Sequence, residues 1–371
     1  MPTEEIAIAA PATTPNFASA RDLLQQAVDD RAFPGAAFGV LHHGNIVAMD
    51  SVGRFTYENS APPVEPETVF DLASLTKVIA TTAAAMLLHT RGRFDLDARL
   101  GDILPGFVVG MEPGSGRERV TLRMLLAHSS GLPGYVELFR TCATPDALLR
   151  ATLQLPLEAK PGQRTEYSDP GFILLGKAIE VLAGELLDKF CAREIFAPLG
   201  LKATRFRPLS YFRPMIPPTE RDTTFRERVI QGEVQDENAC VLHGVAGHAG
   251  LFSNVPDLLH FAQTILDPAS APALISPATL ALFLTPHSTP DGKSRALGWD
   301  IPTPPSSSGH HFGARSIGHL GYSGTSLWID PDQALAVVLL TNRTWPDRFN
   351  DAIRQVRPAF HDAIVEALRS A

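Results

Sequence analysis

Strand-like runs stand near both ends of the chain, with helical periodicity between them. This order constrains the fold more than any other feature. "GAAFGVLHHG" and "NIVAMDSVG" follow each other after a first amphipathic stretch from Phe17 to Arg31, and meet at His43-Gly44-Asn45, a hairpin signal. "GHLGYSGTSLWID" and "ALAVVLLTN", parted by Pro331-Asp332-Gln333, form a second hairpin near the end, before a closing amphipathic helix over 347–369. Between about 121 and 267 the pattern is mainly helical. "DPGFILLGKAIEVLAG" carries Pro170 in its first turn, where the missing N–H costs little. "ELLDKFCAREIFAPLG" reads as another helix, and "SNVPDLLHFAQTIL" opens with an Asn254-x-x-Asp257 cap pattern. The proline- and charge-rich stretch 206–237 reads as a long surface loop.

These elements predict an α+β fold: one antiparallel sheet built from both ends of the chain, flanked by the terminal helices, with a mainly helical second domain. The expected division is 17–80 with 285–371 for the sheet domain and 81–284 for the helical one, the active site lying between them. A chain of 371 residues exceeds the usual size of a single core, which agrees with two packed regions.

Charge removes one function class. The net charge is −8, and the 26 Arg and 6 Lys are scattered without a basic run, so nucleic acid is not an expected partner. No apolar run is long enough to span a bilayer. The opening "MPTEEIAIAAPATTPNF" places glutamates where a secretory leader carries positive charge, which predicts a cytoplasmic protein; a start site set too far downstream would instead leave room for a periplasmic one. Cys142, Cys191 and Cys240 are odd in number and far apart, as idle thiols are. The sequence carries no signal for an oligomeric state.

The chemistry candidates begin in "VFDLASLTKVIATTAAAMLLHTRG", expected as a helix ending near Gly92. Ser74 and Lys77 stand three residues apart on one helical face, within mutual reach. Two readings compete there. Ser74 is a helix cap and Lys77 a solvated charge, or Ser74 is a nucleophile whose proton Lys77 takes. Further along, "TEYSDPG" sets Tyr167 and Asp169 in a turn before a helix, where Asp169 also has the makings of an N-cap. "GHLGYSGT" sets His319 on a strand beside Gly321 and Gly324. His243 and His248, with Asp236 and Glu237 nearby, are the strongest candidates for a metal site; His42-His43 and His310-His311 are adjacent pairs that point apart on a strand.

Ser-x-x-Lys, then Tyr-x-Asn or a variant, then Lys/His-x-Gly, in this order and at wide spacing, resembles the penicillin-recognising serine hydrolases. The chain is similar to the class C β-lactamase family, which includes D-alanyl-D-alanine carboxypeptidases and family VIII esterases. The phrases "LLAHSSGLPGY", "KPGQRTEYSDPGFILLGKAIE", "GVAGHAGLFSNVPDLLHFAQ" and "GTSLWIDPDQALAVVLLTNR" share its look. The resemblance implies a β-lactamase/transpeptidase-like fold and a serine hydrolase working through an acyl-enzyme on a small-molecule acyl substrate. It makes Ser74 the nucleophile and Lys77 its base, assisted by Tyr167. It places the oxyanion between the N–H groups of Ser74 and Tyr322, next to Gly321, with His319 at the far end of the substrate. No cofactor and no metal is expected. No GxSxG elbow occurs, so an α/β-hydrolase reading has no anchor.

Two departures bear on the substrate. Asp169 stands where the family more often has Asn, and an ionised Asp accepts hydrogen bonds without donating any; it holds Lys77 as a cation and shifts the base role toward Tyr167. His319 stands where β-lactamases carry Lys, which weakens attraction for a carboxylate. Both favour esters over peptides and β-lactams. Two other classes compete: a non-catalytic binding or scaffold protein of the same fold, against which the retention of Ser74, Lys77 and Tyr167 argues, and a metal-dependent hydrolase using His243 and His248.

Overall fold

The computed structural model describes residues 15–371 except 111, 113 and 272. The N-terminal stretch read above for a leader lies almost wholly outside the described residues. Five strands form one antiparallel sheet: β1 (Gly35–His42), β2 (Asn45–Gly53), β3 (Ile317–Leu320), β4 (Ser326–Asp330) and β5 (Leu335–Thr341), in the order β3-β4-β5-β1-β2. The N-terminal hairpin thus docks beside the C-terminal one through β1 and β5, with Ala36 opposite Thr341 and His42 opposite Leu335. The β1–β2 turn is a tight primed turn: His43 and Gly44 both have left-handed backbone, at φ 48° and 76°, which matches the strand twist.

Alternation along the strands builds two apolar faces. Ala36, Phe38 and Val40 of β1 join Val337 and Leu339 of β5 on one face, covered by Leu24 of α1 (Ala18–Asp29) and by Phe360 and Ile364 of the closing helix. Ala37, Leu41, Ala336, Val338 and Leu340 point the other way, into a core shared with Leu87 of α2 (Ala83–Thr90), Leu174 of α3 (Asp169–Ala183) and Leu258 of α4 (Val255–Leu266). Gly39 permits this packing: a Cβ there would lie 2.4 Å from Val255 and 2.8 Å from Leu259, so only glycine lets α4 approach β1 this closely. The Asn254 side chain accepts from the Asp257 N–H and caps α4, as its sequence predicts.

Several local expectations are corrected. The stretch 206–237 is no open loop: it folds a 3₁₀ turn, Ser210–Met215, and a hairpin, Pro218–Asp222 with Arg228–Gln231. Its prolines and charges hid short strands whose pairing is set by tertiary contacts. The closing helix α5 (Ile353–Arg369) starts later than 347, because Asp347 and Asn350 accept backbone N–H groups of the turn before it. The stretch after Leu187 is broken, Leu187–Cys191 passing into a π turn, Ala192–Phe196. The Ser74 segment is likewise no continuous α-helix. Phe70–Asp71 pairs with Leu251–Ser253 as a short strand, Ala73–Leu75 makes one 3₁₀ turn, Lys77–Thr82 is a π turn, and only then does α2 begin. Single-turn π segments inside helices concentrate at functional sites.

Candidate active site

The peptide into Ser74 is strained and clamped. Ala73 has φ +46°, a left-handed conformation costly for a residue with a side chain. Asp71 stabilises it: its two carboxylate oxygens accept the N–H groups of Ala73 at 2.8 Å and Gln235 at 2.7 Å. Burial of Asp71 nonetheless pushes its carboxyl up to about 6. Ser74 caps no helix with its side chain, so the cap reading does not hold. Its Oγ instead accepts from the Lys77 ammonium at 3.0 Å.

Lys77 is completely buried, and its Nζ makes two further contacts, to Asp169 Oδ1 at 2.7 Å and to the His248 carbonyl at 3.3 Å. Burial alone pulls an ammonium down, but Asp169 and Tyr167 overcome it and hold Lys77 above the ordinary lysine range. Asp169 is delivered by the first turn of α3. The cap there is Ser168, whose Oγ accepts the Gly171 N–H at 3.0 Å, and not Asp169, which leaves the carboxylate available to the lysine.

Tyr167 lies one residue before that cap, about a third exposed, with Lys77 Nζ 4.7 Å from its ring centre. Its hydroxyl interacts with both Lys77 and Ser74; burial raises the phenol above its ordinary value and the Lys77 charge pulls it back. Beneath it His128 stacks on Phe172 at 4.9 Å and lies 4.7 Å from Tyr167. The His128 Nδ1 accepts the Ser168 N–H, so this ring orients the turn carrying Tyr167. On the other side His319, at 5.9 Å, donates from Nδ1 to the Leu320 carbonyl. Its buried Nε2 is then an acceptor, with no partner among the described residues.

Two backbone amides complete the geometry. Neither the Ser74 N–H nor the Tyr322 N–H donates to an acceptor among the described residues, although both residues line the same cleft. Unpaired amides in one cleft suit an oxygen that gains negative charge. Gly321 is obligatory there: a Cβ would lie 1.9 Å from Thr325 Oγ1 and 2.5 Å from the Leu72 carbonyl. The cleft, of about 1050 Å³, is lined by Ser74, Tyr167, Asp169, His319, Gly321 and Tyr322, with Lys77 at its floor. The seven residues singled out by the family pattern therefore gather at one place.

The suspected metal cluster does not assemble. His248 Nε2 meets Asp236 at 2.9 Å, whereas His243 faces a separate depression lined by Arg207 and Lys177. No group of three or more His, Cys, Asp or Glu among the described residues is placed to hold a metal ion. Sequence reasoning missed His128, Asp71 and Arg295. Arg295 pairs with Asp300 at 2.5 Å and stands 5.5 Å from the Tyr167 ring centre, a cation close to the neutral His319. His128 and Asp71 lay inside the quoted "LLAHSSG" and "VFDLASLTK" phrases, whereas Arg295 had no signal.

The buried histidines set an acid limit. Burial pushes His319 down to about 4 and His361 to about 3, and holds His128 well below the ordinary 6.5. The unfolded chain therefore takes up protons below pH 6.5 that the folded chain refuses, and stability falls as pH falls from 6.5 toward 4, by about 1.4 kcal/mol per pH unit for each group. Asp71, protonated in the folded chain below about 6, offsets one of the three. Urea midpoints measured from pH 7 to 4.5 are expected to drop steeply; a flat profile would mean these rings carry protons in the folded state.

The chain is similar to known proteins along most of its length. The family described as beta-lactamase matches residues 20–359. An N-acetylmuramyl-L-alanine amidase of Bacillus subtilis is 34% identical over 349 residues, covering 84% of this chain and 77% of that protein. A putative D-alanyl-D-alanine carboxypeptidase of Escherichia coli K12 is 33% identical over 347 residues, covering 85% and 79%. In fold, the chain resembles EstCE1, a hydrolase with promiscuous acyltransferase activity, with a TM-score of 0.76, 23% identity, and 94% and 98% of the two chains covered. No helix among the described residues is long and apolar enough to cross a membrane.

Proposed function

The chain belongs to the beta-lactamase family of serine hydrolases, and within it we propose that Ser74 forms a covalent acyl-enzyme with a small ester or amide. The observation that carries this is the contact of Ser74 Oγ with a buried lysine beside two unpaired amides. The Asp169 pair keeps Lys77 an ammonium, so Tyr167 is the base in this reading, through the minority of molecules in which its phenol is ionised. The phenolate takes the Ser74 proton as Oγ bonds to the acyl carbon. Breakdown of the tetrahedral intermediate expels the alcohol or amine, which receives that proton from Tyr167. Water then attacks the acyl-enzyme, gives a proton to Tyr167, and Ser74 leaves with it as the acid is released. Lys77 holds the charge on Tyr167 and Ser74 throughout.

Short-chain esters are the favoured substrates, since His319 is uncharged and Asp169 offers no donor to a substrate amide carbonyl. A second reading, cleavage of an amide or peptide that carries a carboxylate, draws on Arg295, the cation beside His319, and on the amidase and carboxypeptidase names of the relatives. Intact-mass measurement after mixing with a fluorophosphonate, 4-nitrophenyl butyrate, nitrocefin and an acyl-D-Ala-D-Ala peptide tests both. The expected result is one adduct on the peptide containing Ser74, and turnover of the ester ahead of the other two. Absence of any adduct on Ser74 would end the acyl-enzyme reading; faster turnover of the peptide would select the second.

A further inference from the structure

The turn 321–325, which carries the Tyr322 amide, is held through its carbonyl groups by two arginines from the end of the chain. Arg357 of α5 donates from Nη2 to the Gly321 carbonyl at 2.7 Å and the Thr325 carbonyl at 2.8 Å, and from Nε to the Gly324 carbonyl at 3.2 Å. Arg343 donates from Nε to the Tyr322 carbonyl at 2.7 Å, and its Nη1 reaches the carbonyls of Arg348 and Asn350. Its own N–H binds the Ser323 carbonyl at 2.9 Å. All five carbonyls of the turn are thereby taken. Ser323 Oγ and Thr325 Oγ1 donate in turn to the carbonyls of Asp71 and Leu72, so the turn is tied to the segment that leads into Ser74.

Arg357 is unusual for a buried cation. It is 6% exposed and its hydrogen-bond partners among the described residues are backbone carbonyls, with no carboxylate. Burial lowers its guanidinium to about 9. A cation so placed costs stability and is better explained by what it does locally. The Gly321 carbonyl and the Tyr322 N–H belong to one peptide unit. A charged donor on that carbonyl draws electrons through the amide and makes the N–H a stronger donor.

We propose that Arg357 is a positioning residue that orients and polarises the Gly321–Tyr322 peptide as an oxyanion donor, while Arg343, on the Tyr322 carbonyl, helps fix the turn. The role rests on the acyl-enzyme reading above. It acts on the tetrahedral state, where the oxygen is charged, more than on bound substrate, so it belongs to kcat.

The test compares Arg357→Met, Arg357→Lys and Arg343→Lys with the unaltered chain on 4-nitrophenyl butyrate, each corrected for its active fraction by fluorophosphonate titration. Arg357→Met is expected to lower kcat by about 10- to 100-fold with KM within about threefold, the range for weakening one oxyanion donor. Arg357→Lys keeps the charge without the fork and recovers part of the loss. Affinity for phenylboronic acid, whose tetrahedral adduct on Ser74 sets an oxygen at the two amides, falls in parallel. Should Arg357→Met fail to fold, the two lysine variants carry the same comparison at smaller amplitude. Unchanged kcat in folded variants, a loss confined to KM, or unaltered boronate affinity would overturn the role. If the unaltered chain is not acylated at Ser74, the acyl-enzyme reading falls first; acylation with indifferent variants removes this role alone.

Discussion

Ser74→Ala is expected to abolish turnover of 4-nitrophenyl butyrate, by about ten-thousand-fold or more, because it removes the hydroxyl that meets the Lys77 ammonium beside the unpaired Ser74 amide. Stability should change little. Ser74 caps no helix, and Lys77 keeps Asp169 and the His248 carbonyl when the hydroxyl is removed. One charge-assisted acceptor is lost, worth about 1 to 2 kcal/mol at most. Steady-state kinetics and a thermal melt on the same preparation decide the matter. A folded Ser74→Ala protein that still turns over the ester would move the chemistry elsewhere, and a large fall in melting temperature would show that the serine is structural.

The second large effect is on stability. Asp169→Ala leaves a fully buried ammonium with only the Ser74 and Tyr167 hydroxyls and the His248 carbonyl for partners. Breaking a buried pair from one side costs about 3 to 5 kcal/mol, which for a chain of this length is a fall in melting temperature of roughly 4 to 7 °C. The pH dependence follows from the direction of the Lys77 shift. Its folded value lies above the ordinary 10.5, so the pair's contribution is complete below that pH and disappears only as pH rises through the folded value. In the unaltered chain the pair therefore contributes fully from pH 6 to 9, whereas in Asp169→Ala the carboxylate no longer opposes burial, which pulls the lysine down, so the gap should be widest at pH 6 and narrow toward pH 9. A gap that stays constant across this window would mean that Lys77 keeps its proton without Asp169. Asp169→Asn retains an acceptor for the lysine and should lose less, with more of the base role returned to a lysine that now deprotonates more easily.

Much of the architecture was legible in the residues. Alternation in "GAAFGVLHHG" and "ALAVVLLTN" states which side chains share a face, and His43-Gly44 closes the first hairpin by local backbone preference alone. The order of strand, helical and strand-like regions foretold a sheet made from both ends of the chain. The seven residues proposed for the site were picked out through their spacing within a family pattern, and they gather at one cleft. What failed was local: the broken Ser74 helix, the hairpin within 206–237, and the cap assigned to Asp169 in place of Ser168. Each depends on a partner the local window does not contain. The Ala73 conformation, for instance, is held by Asp71 together with a strand pairing to Leu251–Ser253.

The sequence by itself determined the strands of the main sheet, the hairpin turn and which residues to propose as the reacting groups, because those follow from side-chain period, backbone preference and motif spacing. Only the tertiary structure decided their electrical state. Lys77 meets Asp169 across 92 residues, and the Gly321–Tyr322 peptide meets Arg357 across 36. Whether a buried group is charged depends on the partners folding brings to it: the family pattern suggested Asp169 for Lys77, but only the folded chain shows that this pair outweighs burial, and nothing in the spacing pointed to Arg357.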